Sequence, residues 1–333
     1  MYESFYQLRA KPFALNPDPK FFFGSKGHKR AMAYLEYGLS LGEGFIVITG
    51  EIGAGKTMLV RYLFKKLEHE NVVAAQLVST QLDADDMLRA VTAAFGLEQE
   101  GLNKASLLKK LESYLLNIVK QGKRPLLVVD EAQNLSPRAV EELRMLSNFH
   151  HAEKPLLQSF LLGQPEFRIT LQSQEMQQLK QRVIASYHLG AMDASETRSY
   201  IQHRLDLVGW KADPTITDEA YQGIHEYTGG IPRKINTLTD RLLLLGYLSE
   251  KHEFDRAEVQ EVIDDLGQEV AYSTAPTHAK PSLMQQGEAQ ANLSSLEEKV
   301  ESMERTLNRV LAMMRKLLHA VGETQPKPSK RHE

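Results

Sequence analysis

The stretch FIVITGEIGAGKTMLV, residues 45–60, decides the fold. Five β-forming, mostly apolar residues run into a glycine-rich turn, then Lys56, Thr57 and a helical pattern. Gly50, Gly55, Lys56 and Thr57 match G-x-x-x-x-G-K-[ST]. Glycines at those places let backbone N–H groups turn inward around phosphate oxygens, and the helix that follows points its positive end at the anion. The residues expected to hold the phosphates are therefore Gly50, Glu51, Ile52, Gly53, Ala54, Gly55, Lys56, Thr57 and Met58. Lys56 is assigned to the β- and γ-phosphates and Thr57 to Mg²⁺.

Four further apolar runs follow: NVVAAQLV (71–78), PLLVVDE (125–131), LLQSFLLG (156–163) and VIASYHLG (183–190). They are continuous rather than alternating, as strands buried on both faces of a parallel sheet are. Helical patterns lie between them, among them ASLLKKLESYLLNIVK from Ala105 and SPRAVEELRMLSNF, which opens with Ser136 as N-cap and Pro137 at the first helical position. Alternation of this kind predicts an α/β sheet.

At the end of LLVVDE, Asp130 is expected to hold Mg²⁺ through water and Glu131 to polarise an attacking water. Gln164 directly follows SFLLG, at the carboxyl end of a strand where open α/β sheets bind ligands. It is assigned either to the lytic water or to the γ-phosphate; a surface turn residue would do neither. Arg182, just before the last strand, has the placement of an arginine finger reaching across a subunit boundary, weighed evenly against a solvated surface arginine. Arg233 lies in the first turn of a helix, where a cation opposes the helix dipole unless it faces an anion.

The 333 residues suggest about two domains. Residues 1–190 form the N-terminal arm and α/β core, and 191–267 a helical domain with capping boxes at Asp193/Glu196 and Asp255/Glu258. Residues 268–292 read as a linker without apolar period, and 322–333 as a basic tail. In 293–321 an apolar residue recurs every seven: Leu293, Val300, Leu307, Met314 and Val321 in one seam, Leu296, Met303, Val310 and Leu317 in the other. That spacing predicts a coiled coil and a protein partner, ahead of a helix folded back on its own domain. Its polar side carries Arg309, Arg315 and Lys316, so peripheral membrane contact is a lesser reading. The N-terminal arm, FYQLRAKPFALNPDPKFFF, reads as packed onto the core, with a cover for the base near Phe21–Phe23 as the alternative.

Forty basic and 43 acidic side chains leave a net charge of -3, so a globally basic nucleic-acid footprint is absent. There is no cysteine, which excludes disulfides and thiolate metal sites and fits a reducing compartment. No basic region followed by an apolar core opens the chain, and no apolar run approaches the roughly 20 residues that span a bilayer. The expectation is a soluble, cytoplasmic protein without a transmembrane segment.

The whole set resembles an AAA+ ATPase over about residues 1–267, with Walker A GEIGAGKT, Walker B LLVVDE, a sensor-1 position at Gln164 and a sensor-2-like GGIPRKIN. More narrowly it resembles the ExeA/GspA-type secretion ATPases through FYQLRAKPFALNPDP, DEAQNL, LLGQPEF, LKQRV and TGGIPRKIN. The N-terminal block and EYGLSLGEGFIVITGEIGAGKT are similar to the subset associated with exosortase (PEP-CTERM) and exopolysaccharide loci. The resemblance implies a P-loop NTPase (AAA+/ASCE) core with a helical lid and an ATP–Mg²⁺ site between them. It also implies a homo-oligomer in which Arg182 acts in trans and Arg233 closes the lid on the γ-phosphate. The activity it implies is ATP hydrolysis driving assembly or export. Longer secretion ATPases carry a transmembrane helix and a wall-binding domain that this sequence does not show, so direct secretin insertion is not expected. The runner-up reading is an ATP-dependent DNA-binding regulator similar to transposition ATPases, which the balanced charge does not favour.

Overall fold

A computed structural model describes residues 1–78 and 83–274, and Met1–Ser273 form one compact unit. In chain order the helices are α1 (Tyr2–Phe5), α2 (Lys26–Leu41), α3 (Lys56–Leu67), α4 (Ala84–Ala94), α5 (Lys104–Lys120), α6 (Pro137–Leu146), α7 (Pro165–Thr170), α8 (Gln177–Lys180), α9 (Ala194–Leu207), α10 (Asp218–Thr228), α11 (Pro232–Leu248) and α12 (Arg256–Thr274). The central sheet contains β1 (Phe45–Gly50), β2 (Val72–Val78), β3 (Arg124–Asp130), β4 (Gln158–Gly163) and β5 (Val183–Leu189), each matching an apolar run of the sequence to within two residues at its start and one at its end. Its order is β2-β3-β4-β1-β5, and every pairing is parallel. β4 therefore separates the DE-bearing β3 from the loop-bearing β1. Their carboxyl ends still share one edge.

Both faces of the sheet are covered, which explains why the strand sequences do not alternate. Phe45, Val47, Leu127, Val129 and Leu161 pack under α4, α5 and α6. Ile46, Ile48, Leu126, Val128, Phe160 and Leu162 pack under α2 and α3. The helix starts are set by side chains: Ser25 accepts from His28 N–H at 3.2 Å, Asn103 from Ser106 N–H at 2.9 Å, and Ser136 from Ala139 N–H at 3.2 Å. The Asp193/Glu196 capping box is complete at the start of α9.

A second core lies in the lid, where Ile201, Leu205, Ile224, Ile235, Leu238, Leu242 and Phe254 are buried together. Tyr2, Tyr6, Leu8 and Phe13 belong to this same cluster. The arm expected on the α/β core is thus built into the lid. Its aromatic rings find their partners there: the Tyr2 hydroxyl donates to Asp240 (2.5 Å) and the Tyr6 hydroxyl to the Lys251 carbonyl (2.9 Å), satisfying groups that burial would otherwise strand. A second difference concerns residue 268, taken as the start of a linker; α12 runs on to Thr274, because no proline interrupts the chain before Pro276. The heptad segment 293–321 and the tail 322–333 lie outside the described residues. No helix among the described residues is long and apolar enough to cross a membrane.

Candidate nucleotide site

At the carboxyl edge of the sheet a cavity of about 300 Å³ opens between core and lid. Ile52, Gly53, Gly55, Lys56, Thr57 and Met58 line it from the phosphate loop; Glu131 and Gln164 line it from β3 and β4. The lid adds Met192, Tyr200, Arg204, Arg233 and Asn236, and the arm adds Ala14–Pro17 and Phe21–Phe23. Lys56, Arg204 and Arg233 outnumber the single lining carboxylate, Glu131, which favours an anionic occupant.

The loop turns through left-handed backbone at Gly53 (φ 82°) and Gly55 (φ 98°), which only glycine adopts without strain. His28 sits against Gly55, where an added Cβ would lie 2.7 Å from its Nε2. That ring is 5% exposed, pairs with the Ser25 hydroxyl through Nδ1 at 2.7 Å, and is pushed by burial down to about 4. It is a neutral buttress beneath the loop. Lys56 folds onto the loop itself, its Nζ donating to the carbonyls of Gly50 (2.6 Å) and Glu51 (3.0 Å). Burial lowers its pKa, opposed by Glu131 and Asp130.

Thr57 Oγ1 donates to Asp130 Oδ2 at 2.9 Å, so the two residues assigned to a metal are side by side. Burial raises the Asp130 pKa, against the hydrogen bonds from Thr57 and the Glu131 N–H. A hydroxyl beside one carboxylate suits Mg²⁺, which keeps waters and takes its remaining oxygens from nucleotide phosphates.

Glu131 adopts a left-handed backbone (φ 54°), an uncommon conformation for a non-glycine residue that turns the chain out of β3. Its Oε2 accepts from Gln133 Nε2 (2.6 Å) and Gln164 Nε2 (3.3 Å). Gln133 Oε1 accepts in turn from the Gln164 backbone N–H at 2.9 Å. One polar chain thus joins the ends of β3 and β4. Gln133 was not singled out from the sequence, although its position two residues past Glu131 places it within local reach.

Arg233 reaches the site from α11, its backbone N–H donating to the Gly53 carbonyl at 3.2 Å. Arg182 is elsewhere. It precedes β5 at the amino edge of the sheet, gives its carbonyl to Phe45 N–H (3.0 Å), and donates to Ser147 Oγ at 2.6 Å. His28, Tyr200, Arg204 and Asn236 are lining residues that the sequence does not single out, whereas the arm's aromatics and prolines offer a cover near Phe21–Phe23 as an alternative.

A family model described as an AAA domain matches residues 40–171. The general secretion pathway protein A of Aeromonas hydrophila is 37% identical over 260 residues, covering 78% of this chain and 47% of that protein. The chain is similar to the AAA+ P-loop ATPases of the ExeA/GspA type. It spans about half the length of that secretion protein. The fold of this AAA+ chain is shared with the Aeropyrum pernix ORC2 protein in its ADP form (TM-score 0.57, 15% identity, 76% of this chain and 72% of that one). The Aeropyrum pernix ORC1 protein in complex with DNA matches with a TM-score of 0.59 at 15% identity, covering 81% and 74%. The Thermotoga maritima RuvB branch migration motor gives 0.50 at 19% identity, covering 78% and 72%.

Proposed function

We propose that this AAA+ protein binds ATP with Mg²⁺ in the cavity between core and lid, hydrolyses it, and couples the cycle to an assembly or export process. The observation that carries the reading is the convergence of Lys56, the Thr57–Asp130 pair and the Glu131–Gln133–Gln164 chain on that cavity. In this reading Lys56 leaves its loop carbonyls for the β- and γ-phosphates, and the N–H groups of residues 53–57 cradle them. Thr57 and Asp130 would hold Mg²⁺, which would supply charge neutralisation at the phosphoryl oxygens. Glu131 takes a proton from a water whose oxygen forms a bond to the γ-phosphorus as the bond to the ADP oxygen breaks. Gln164 positions that water and fixes Glu131. Arg233 follows the γ-phosphate from the lid, and Arg182 serves the site of a neighbouring copy.

The similarity to a general secretion pathway protein supports an export-linked role. The narrower assignment, to exosortase or exopolysaccharide machinery, rests on the N-terminal sequence block alone. Calorimetry of the full chain with Mg-ATP and Mg-ADP tests the site. Wild-type protein should bind both, and Lys56→Ala should bind them at least about tenfold more weakly, one lost charge-assisted contact being worth that much. Unchanged binding in well-folded Lys56→Ala protein would remove the basis of the proposal.

A further inference from the structure

Arg204 on α9 is 3% exposed, lines the cavity, and takes part in none of the ion pairs found among the described residues. A buried guanidinium without a counter-charge is costly unless other groups answer it. Neutral groups do so here, and most belong to the N-terminal arm. Nε donates to the Pro12 carbonyl at 2.5 Å and Nη2 to the Ala14 carbonyl at 3.3 Å. The Phe21 ring centroid lies 4.8 Å from the guanidinium carbon, and Phe13 lies 5.9 Å away. Nη1 donates to the Tyr200 hydroxyl at 2.8 Å, which in turn donates to Asn236 Oδ1 at 2.8 Å. Arg204 therefore ties two lid helices, α9 and α11, to the stretch of arm that crosses the cavity.

That stretch has a particular course. Residues before it are embedded in the lid core, and α2 after it packs on the sheet. Ala14–Pro17 and Phe21–Phe23 thus bridge lid and core and add to the cavity a wall separate from the phosphate loop. The Pro17 carbonyl is held from the core side by Arg61 Nη1 at 2.6 Å, and the Phe22 ring stacks on Tyr62 of α3 at 4.1 Å. The wall is fastened at both ends, and its lid end depends on Arg204.

We propose that Arg204 is a positioning residue for the nucleoside end of the ligand: it fixes the arm against the lid, and the arm forms the wall on which the base and sugar rest. The proposal rests on the nucleotide reading of the cavity. It predicts a split between ligands that a purely structural arginine would not produce. Inorganic pyrophosphate engages only the phosphate loop, whereas ADP also needs the wall.

Calorimetric titration of the full chain with Mg-ADP and with Mg-pyrophosphate reads that split. Arg204→Lys keeps charge and bulk but cannot span two carbonyls and a hydroxyl with one planar fork. It should weaken ADP about tenfold while leaving pyrophosphate within about twofold, a loss of the size expected for charge-assisted hydrogen bonds. Lys56→Ala should weaken both ligands. Equal losses for the two ligands in Arg204→Lys, or no loss of ADP affinity, would overturn the proposal. Arg204→Met should show the same split more strongly. Where that variant does not fold, hydrogen exchange in the wild type decides: ADP should protect the amides of residues 13–16 more than pyrophosphate does, and equal protection rejects the idea. Wild-type protein that binds neither ligand sinks the nucleotide reading and this inference together, whereas binding of both with no Arg204 effect sinks this inference alone.

Discussion

Glu131 accepts from two amide side chains, and its left-handed backbone (φ 54°) turns the carboxylate's segment out of β3. Replacing it with Gln preserves shape and removes the base. Turnover of ATP in Glu131→Gln should fall at least about a hundredfold with nucleotide affinity unchanged within a few fold; steady-state kinetics with calorimetry separate the two effects. His28 gives a pH prediction. Burial holds it near 4 in the folded protein against an ordinary 6.5, so the unfolded chain takes up the proton first as pH falls. The contribution of this residue to stability is full above about 6.5, declines through the window down to about 4, and is absent below it. Its steepest slope is roughly 1.4 kcal/mol per pH unit. Urea midpoints at pH 7 and pH 5 should therefore differ more in the wild type than in His28→Gln. At this scale Lys56, Thr57, Asp130 and Glu131 were legible because their chemistry is tied to a fixed spacing along the chain. His28 and Arg204 were not, since a buried cationic or imidazole side chain announces itself only by what packs around it.

Among the elements, α2 does two jobs. Its face packs on β1 and β5, and its first turn delivers His28 beneath the phosphate loop. The close approach depends on Gly38: an added Cβ would lie 2.5 Å from Ile46 Cγ1 and 3.2 Å from Gln158 Nε2. Gly38→Ala should thus destabilise the protein by about 1–3 kcal/mol, the usual cost of overpacking, measured by urea denaturation. An exposed glycine with no neighbour within 4 Å of its added Cβ, such as Gly267, should show no such loss. The strands and helix starts could be read in advance, because burial on both faces removes alternation and caps use a small set of side chains. The length of α12 and the partner of the N-terminal arm could not. Helix-forming residues continue past any point where function would suggest a linker, and an aromatic-rich arm fits either of two apolar surfaces equally well on composition.

In the whole molecule, the cavity and Arg182 occupy opposite edges of the sheet. One copy of the chain cannot bring them together, so the finger reading requires a neighbour. Mixing Arg182→Ala protein with Lys56→Ala protein should restore part of the ATPase rate, since some interfaces then pair an intact loop with an intact arginine. Absence of rescue under conditions where light scattering shows mixed oligomers would leave Arg182 with its Ser147 hydrogen bond alone.

By itself the sequence determined that a strand ends in a phosphate loop, that a second strand ends in paired carboxylates, and that a helical domain follows. These properties are local: they depend on glycine torsions, strand burial and caps within a few residues of one another. Only the tertiary structure decided that the first thirteen residues belong to the lid, that Gln133 joins Glu131 to Gln164, and that Arg204 fastens the arm across the cavity. Apart from the local Gln133–Glu131 pair, those contacts join residues far apart along the chain, and their choice of partner is set by which buried polar groups would otherwise go unanswered.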